Sequence, residues 1–240
     1  MQAESNRRAL VIGACTSLVA FLLILVVGVV DHGLDGADRM ARAAVHRPSY
    51  AVVQSSMEAA SFVGGRPGQI PVVCLGAVLL WRRRRRWALA LPVVMAGAGV
   101  LQVSAKWAVD RPRPNLDPWG FPSAHVLSLV VLLGFVAYVL ATSRMPDRVR
   151  RLGAGACAAA VCTVAYSRMY LDAHWLSDVL GGFTLGLAYL LLALWVIGRS
   201  EADAHARDCE RAGADVQAVV TPVGVVVPLE VEAVESPAAS

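Results

Sequence analysis

Residues 9–30, ALVIGACTSLVAFLLILVVGVV, run for 22 positions without a charge. A helix crossing a bilayer needs roughly 20 mostly apolar residues, so this stretch alone is long enough to span one. Arg7 and Arg8 precede it, as they would in a cleaved secretion signal. The run is too long for the apolar part of such a signal, and Asp31-His32-Gly33 offers no small-residue cleavage site. We therefore read residues 9–30 as a retained membrane anchor, with residues 1–8 as a short cytoplasmic N-terminus.

The rest of the chain agrees with this. Of 240 residues, 57% are hydrophobic and only 17% charged, and the mean hydropathy is +0.56. Soluble domains carry about 25% charged residues, so this chain has too little polar surface to be wetted on all sides. A disordered chain, a coiled coil and a nucleic-acid-binding domain are excluded on the same ground. Further spans are expected from a start within residues 60–70 to Trp81, then over Trp87–Lys106, His125–Ala141, Leu152–Tyr166 and Leu176–Ile197. The expected fold is an all-α, integral-membrane six-helix bundle over residues 9–198. Residues 31–69 precede or open the second span, with a short surface helix ahead of Pro48. From Arg199 onward eight Asp/Glu face three Arg, and Pro222 and Pro228 interrupt the valines. Residues 199–240 are expected to form a disordered cytoplasmic tail.

The basic residues set the orientation. Five consecutive arginines, Arg82–Arg86, lie between two spans, where they act as a cytoplasmic clamp rather than a polyanion-binding patch. With both termini inside, and leaving aside Arg207 and Arg211 of the tail, 12 basic residues fall in the cytoplasm and eight outside. Of the 22 basic residues, Lys106 is the single lysine. The five cysteines, four of them inside apolar runs, form no metal or redox pattern and read as small buried hydrophobes.

Three span ends assigned to the outer face carry the polar chemistry: Lys106 to Pro114, Pro122-Ser123-Ala124-His125, and Ser167-Arg168 to Asp178. Arginine presents a planar fork to two phosphate oxygens and lysine a point charge. Pro122-Ser123-Ala124 reads as a helix start whose free N–H groups can face an anion. His174 and Asp178 are four apart, so on a helix the carboxylate can hold the imidazole in one tautomer. Asp172 is the competing carboxylate, but its spacing from His174 favours Asp178. Arg111 reads as a solvated or headgroup-facing side chain. Trp107, Trp119 and Trp175 read as an aromatic belt at the water boundary, and Gly181, Gly182 and Gly186 as sites of close helix packing.

K-x6-R-P (Lys106, Arg113, Pro114), P-S-x-H (Pro122, Ser123, His125) and S-R-x5-H-x3-D (Ser167, Arg168, His174, Asp178) occur in this order. Together they resemble the three-part signature of the type 2 phosphatidic acid phosphatase family, membrane lipid phosphatases related to vanadium-dependent haloperoxidases. The resemblance implies His174 as the nucleophile, forming a phosphohistidine, with Asp178 orienting it and His125 acting as acid and then base. It implies that Lys106, Arg113, Ser123, the Ala124 N–H and Arg168 bind the phosphoryl group, without metal or other cofactor. The family's second motif usually has glycine where this chain has Ala124, which narrows the approach to that N–H. The expected partners are a lipid phosphate or diphosphate and the surrounding membrane lipids, with no nucleic acid. An outward-facing site favours a polyprenyl diphosphate of the undecaprenyl type. Phosphatidic acid or phosphatidylglycerol phosphate is the alternative, and a non-catalytic lipid-phosphate transporter or binding protein is the competing class.

Overall fold

The structure, a computed structural model, describes residues 2–45, 50–82 and 84–220. It is helical, with no strand among those residues. The helices are α1 (Gln2–Leu23, continued by a π-helical stretch Ile24–Val30), α2 (Asp35–Val45), α3 (Ala51–Gly64), α4 (Arg66–Trp81), α5 (Arg85–Ala108), α6 (Ala124–Ala141), α7 (Asp147–Tyr170) and α8 (Leu176–Val220). Five stretches are long and apolar enough to cross a membrane: Glu4–Val30, Arg85–Ala108, Ala124–Ala141, Asp147–Tyr170 and Leu176–Ser200. Counting α3 and α4 as one span bent by 44° makes six.

That bend falls where the apolar pattern leaves the start of the second span undefined. Gly64-Gly65 interrupts the helix, and Gly65 takes an extended conformation. A Cβ on Gly64 would lie 2.5 Å from the Val164 side chain. The missing side chains let the break press against α7.

α6 is the central helix. It is apolar around its whole circumference, which marks a helix surrounded by protein or lipid. One side packs with Leu91, Val94 and Ala98 of α5 and Leu185, Leu190 and Leu194 of α8. The other side packs with Val161 and Val164 of α7. The α8 glycines make these approaches possible, as expected: a Cβ on Gly182 would lie 2.6 Å from the Ser123 carbonyl oxygen, and one on Gly186 2.8 Å from that of Leu127.

The outer surface of the bundle is apolar, with Ile12, Val78, Val93, Val100 and Leu152 exposed. Water would penalise such a surface and lipid would not. The cysteine expectation fails here: Cys15, Cys74 and Cys162 are exposed on helices rather than buried. Hydrophobicity marks a residue as excluded from water, and a lipid-facing position satisfies that as well as a core position does.

The surface helix expected before Pro48 is α2, while Pro48 itself lies outside the described residues, as does Arg83 of the arginine run. The stretch from residue 199, expected to be a disordered cytoplasmic tail, begins as a continuation of α8. α8 continues to Val220, through a stretch in which six of the 22 residues from Arg199 are Ala and no proline comes before Pro222, which favours helix. The end of the tail, residues 221–240, lies outside the described residues.

Candidate active site

Lys106 lies in the last turn of α5, at the opposite end of that helix from Arg85 and Arg86. At 1.5 Å per residue the separation is about 30 Å. The other motif residues gather at the Lys106 end. His125 is in the first turn of α6, Arg168 in the last turn of α7, His174 in the α7–α8 connection and Asp178 in the first turn of α8.

The 109–123 connection is folded tightly over these ends. Gly120 N–H donates to the Arg111 carbonyl at 2.7 Å, and Arg113 N–H to that of Asp117 at 2.9 Å. Trp119 adopts φ 61° and turns its carbonyl oxygen to the Lys106 ammonium, which donates to it. Gly120 suits this close approach, since a Cβ there would lie 3.2 Å from Asp178 Oδ2 and 3.0 Å from the Arg111 carbonyl oxygen and would have to displace them. Ser123 N–H donates to the Asp178 carbonyl at 2.9 Å, joining the second and third motifs directly.

His174 is 3% exposed, and its Nδ1 faces Asp178 Oδ2 at 3.5 Å. That distance is long for a hydrogen bond, and Nδ1 has no closer partner. The carboxylate is itself fixed: Oδ2 accepts the Trp175 N–H at 2.9 Å and Oδ1 accepts Arg111 Nη1 at 2.9 Å. Burial pushes the His174 imidazole down to about 4; Asp178 opposes this, while Arg168 and Lys106 add to it. At neutral pH the ring is uncharged. With Nδ1–H directed at Asp178, Nε2 keeps its lone pair.

Four buried side-chain polar atoms among the described residues lack a hydrogen-bond partner: Arg113 Nε, Ser123 Oγ, Arg168 Nε and His174 Nδ1. All four belong to expected site residues. Ser123 flanks the start of α6 but does not cap it, so its hydroxyl is left for another acceptor or donor. Tetrahedral oxyanion oxygens would satisfy the two Nε–H groups and the hydroxyl together. Among the described residues no three His, Cys, Asp or Glu side chains group as metal donors.

Asp172 takes a different place from Asp178. It adopts φ 51° and accepts Arg42 Nε and Nη2 at 2.8 and 2.9 Å, so it is held by α2, whereas Asp178 is the carboxylate that faces His174. Ser167 is fully buried and donates back to the Val164 carbonyl, a role in the helix rather than the site. Ala124 lines the same cavity as His125. The reading of Arg111 as solvated is overturned: its side chain is 11% exposed and pairs with Asp178 and Asp38.

Sequence reasoning also missed Ser61, whose hydroxyl accepts Arg168 Nη1, and Gly65, where a Cβ would stand 3.1 Å from His125 Nε2. The Gly64-Gly65 pair was the available signal for both.

A cavity of about 860 Å³ runs from Gly65, Ala124, His125 and Ser128 down between α4 and α5. Ile70, Val73, Pro92, Met95 and Gly99 make it largely apolar. Ile70 is 60% exposed, so the cavity reaches the lipid-facing surface.

Relatives bear on this arrangement. Phosphatidylglycerophosphatase B of Bacillus subtilis (strain 168) is 25% identical over 186 residues, 73% of this chain and 91% of that protein. Lipid phosphate phosphatase delta of Arabidopsis thaliana is 26% identical over 144 residues, 52% of this chain but only 34% of that protein. The crystal structure of a transmembrane PAP2-type phosphatidylglycerolphosphate phosphatase from Bacillus subtilis superposes with a TM-score of 0.67 at 22% identity, covering 75% of this chain and 93% of that one. Aquifex aeolicus LpxE superposes with a TM-score of 0.52 at 16% identity, covering 65% and 93%. The sequence pattern of the PAP2 superfamily matches residues 87–202, a stretch that contains every motif residue from Lys106 to Asp178, and the chain therefore carries a PAP2 superfamily domain.

Proposed function

We propose that this protein is a membrane lipid phosphatase that works through a phosphohistidine on His174. The observation that carries the reading is the set of unpartnered buried donors on Arg113, Ser123 and Arg168, beside a neutral buried histidine faced by a carboxylate. In the first half-reaction His174 Nε2 bonds to phosphorus as the ester or anhydride P–O bond breaks, and His125 gives its proton to the departing oxygen. In the second, His125 takes a proton from a water that attacks the same phosphorus. The N–P bond breaks, its electron pair returns to the imidazole, and phosphate leaves. Lys106, Arg113, Ser123, the Ala124 N–H and Arg168 hold the equatorial oxygens and the charge they gain in the transition state. Three cations would repel a divalent metal ion and supply its neutralising role themselves.

The apolar cavity beside His125 supports a lipid over a soluble phosphate ester, its chains lying between α4 and α5 with the headgroup among the basic residues. For the headgroup, the Bacillus relative favours a phosphatidylglycerol phosphate or similar phospholipid monoester. Polyprenyl diphosphate remains the second reading, favoured by the expected extracytoplasmic position of the site. The test is phosphate release by purified protein from a panel of phosphatidylglycerol phosphate, phosphatidic acid and undecaprenyl diphosphate in mixed micelles, with and without EDTA. Turnover that persists in EDTA, is inhibited by vanadate and is abolished in His174→Ala supports the proposal. Strict dependence on added magnesium, or substantial turnover by His174→Ala, refutes it.

A further inference from the structure

The site geometry makes Asp178 depend on a helix far from all three motifs. Arg111 Nη1 donates to Asp178 Oδ1 at 2.9 Å and to Ser177 Oγ at 2.6 Å, while its Nη2 donates to Asp38 Oδ2 at 2.9 Å. Asp38 also accepts the Ser177 N–H at 2.8 Å and the Ser177 hydroxyl at 2.6 Å. A carboxylate from α2 thus caps the start of α8 from outside. Asp38 is 2% exposed and Asp178 fully buried. Burying two carboxylates with one guanidinium is costly unless each partner is held, as each is here. One turn along the same face of α2, Arg42 holds Asp172 through two hydrogen bonds and lies over the Trp175 ring at 5.8 Å. α2 therefore grips the chain on both sides of His174, at Asp172 and at Ser177.

We infer that Asp38 and Arg111 are positioning residues for the reaction: they form an ionic brace that fixes the Asp178 carboxylate against His174 and sets the charge the imidazole faces. The inference rests on the proposed role of His174. Neither residue is among the unpartnered groups that fit a phosphoryl oxygen, so the brace acts indirectly, through Asp178 and the start of α8 that carries it. The charged and titratable groups around His174 are Asp178 of α8, Arg168 of α7, Lys106 of α5 and His125 of α6, with Arg113 beside them. Asp38 reaches it through Arg111, which Asp35 also approaches at 3.6 Å.

Charge arithmetic separates this role from a merely structural one. Asp38, Arg111 and Asp178 sum to one negative charge, and Arg111→Met leaves two. Asp38→Asn leaves none, and the double variant restores one. With the lipid phosphate that turns over in the panel above, Arg111→Met should lower kcat roughly tenfold to a hundredfold, the usual cost of losing an outer partner of a catalytic group. KM should stay near wild type. The acid limb of kcat/KM, which reports the free enzyme, should move up in Arg111→Met, down in Asp38→Asn and back to the wild-type position in the double variant. The double variant should also regain part of the kcat lost in Arg111→Met. If Arg111→Met is not recovered as folded protein, the near-isosteric Asp38→Asn carries the test alone, through a lowered kcat and a lowered acid limb. Wild-type kcat in the single variants, or losses that multiply with no movement of the limb, overturns the brace. His174→Ala is the separate control: activity there would sink the nucleophile assignment, whereas an inactive His174→Ala beside unaffected brace variants would sink the brace only.

Discussion

Asp178→Asn changes one oxygen to an amide nitrogen and removes one charge, so its effect can be worked from the geometry. On the proposed path the His174 ring gains positive charge as Nε2 bonds to phosphorus. That charge lies 3.5 Å from Asp178 Oδ2. At an effective dielectric constant of about 20, a unit pair at this distance is worth about 5 kcal/mol. Since about 1.4 kcal/mol is a factor of ten in rate, full charge development would correspond to between about 10³- and 10⁴-fold. Only part of the charge is present at the transition state, so a fall in kcat of about 10³-fold is expected. The asparagine oxygen still accepts the Trp175 N–H; its amide nitrogen then faces Arg111 Nη1 and loses that bond, while Arg111 keeps Ser177 and Asp38. The assay is phosphate release in detergent micelles alongside acid-quench trapping of labelled phosphoenzyme. The variant should lose turnover and phosphoenzyme formation together. A kcat within tenfold of wild type, in protein that elutes as wild type does, would refute the assignment of Asp178 as the orienting carboxylate.

Gly65→Ala places a methyl 3.1 Å from His125 Nε2; it should slow turnover by about tenfold, consistent with the sensitivity of catalysis to misplacement by fractions of an ångström, and full activity in Gly65→Val would show that His125 does not depend on this wall. The His174 imidazole is held at about 4 against an ordinary 6.5, so its neutral form favours the folded state above pH 6.5 and that stability is lost as pH falls from 6.5 towards 4. The loss amounts to about 3 kcal/mol for a shift of this size, and thermal melts between pH 7.5 and 4.5 should fall less in His174→Gln than in wild type; parallel curves would count against the buried neutral ring. A single Cys at Asn115 should react with a membrane-impermeant thiol reagent in intact cells, in a background lacking the native cysteines, while one at Asp147 should react only after permeabilisation. The reverse pattern would invert the proposed topology.

The spans from Trp87 onward were legible because each is one unbroken apolar run with a polar or prolyl break on either side. The second was not, because its first half is the half-polar α3 and its break is a pair of glycines that also read as a loop. The same distinction applies within the site. His174 and Asp178 are four residues apart, and local periodicity places them together. Arg111 and Asp38 are 73 residues apart, and nothing near either one signals the other. Asp38 reads as an ordinary acidic residue in the first turn of a helix, and Arg111 as one arginine of an Arg-Pro-Arg-Pro run. Their pairing exists only once α2 lies across the start of α8. The cysteines show a limit of another kind, since apolar character in a membrane chain does not distinguish a core position from a lipid-facing one.

The brace also bears on why the cationic site can exist at a helix end next to lipid. Lys106, Arg113 and Arg168 are partly withdrawn from water, and like charges so placed repel one another. Asp178 and Asp38 supply two carboxylates behind His174, the proposed nucleophile, but Arg111 neutralises one of them. The net cationic charge therefore remains in front of His174, where a phosphate would lie, and the carboxylate behind it orients the ring without quenching that field. An apolar residue at 111 would leave more negative charge behind the imidazole and raise the proton affinity of the ring; an apolar residue at 38 would let Arg111 draw Asp178 away from the ring. On this reasoning α2 is as much a part of the proposed phosphate site as the motif residues are, although it would contribute no group to the phosphate.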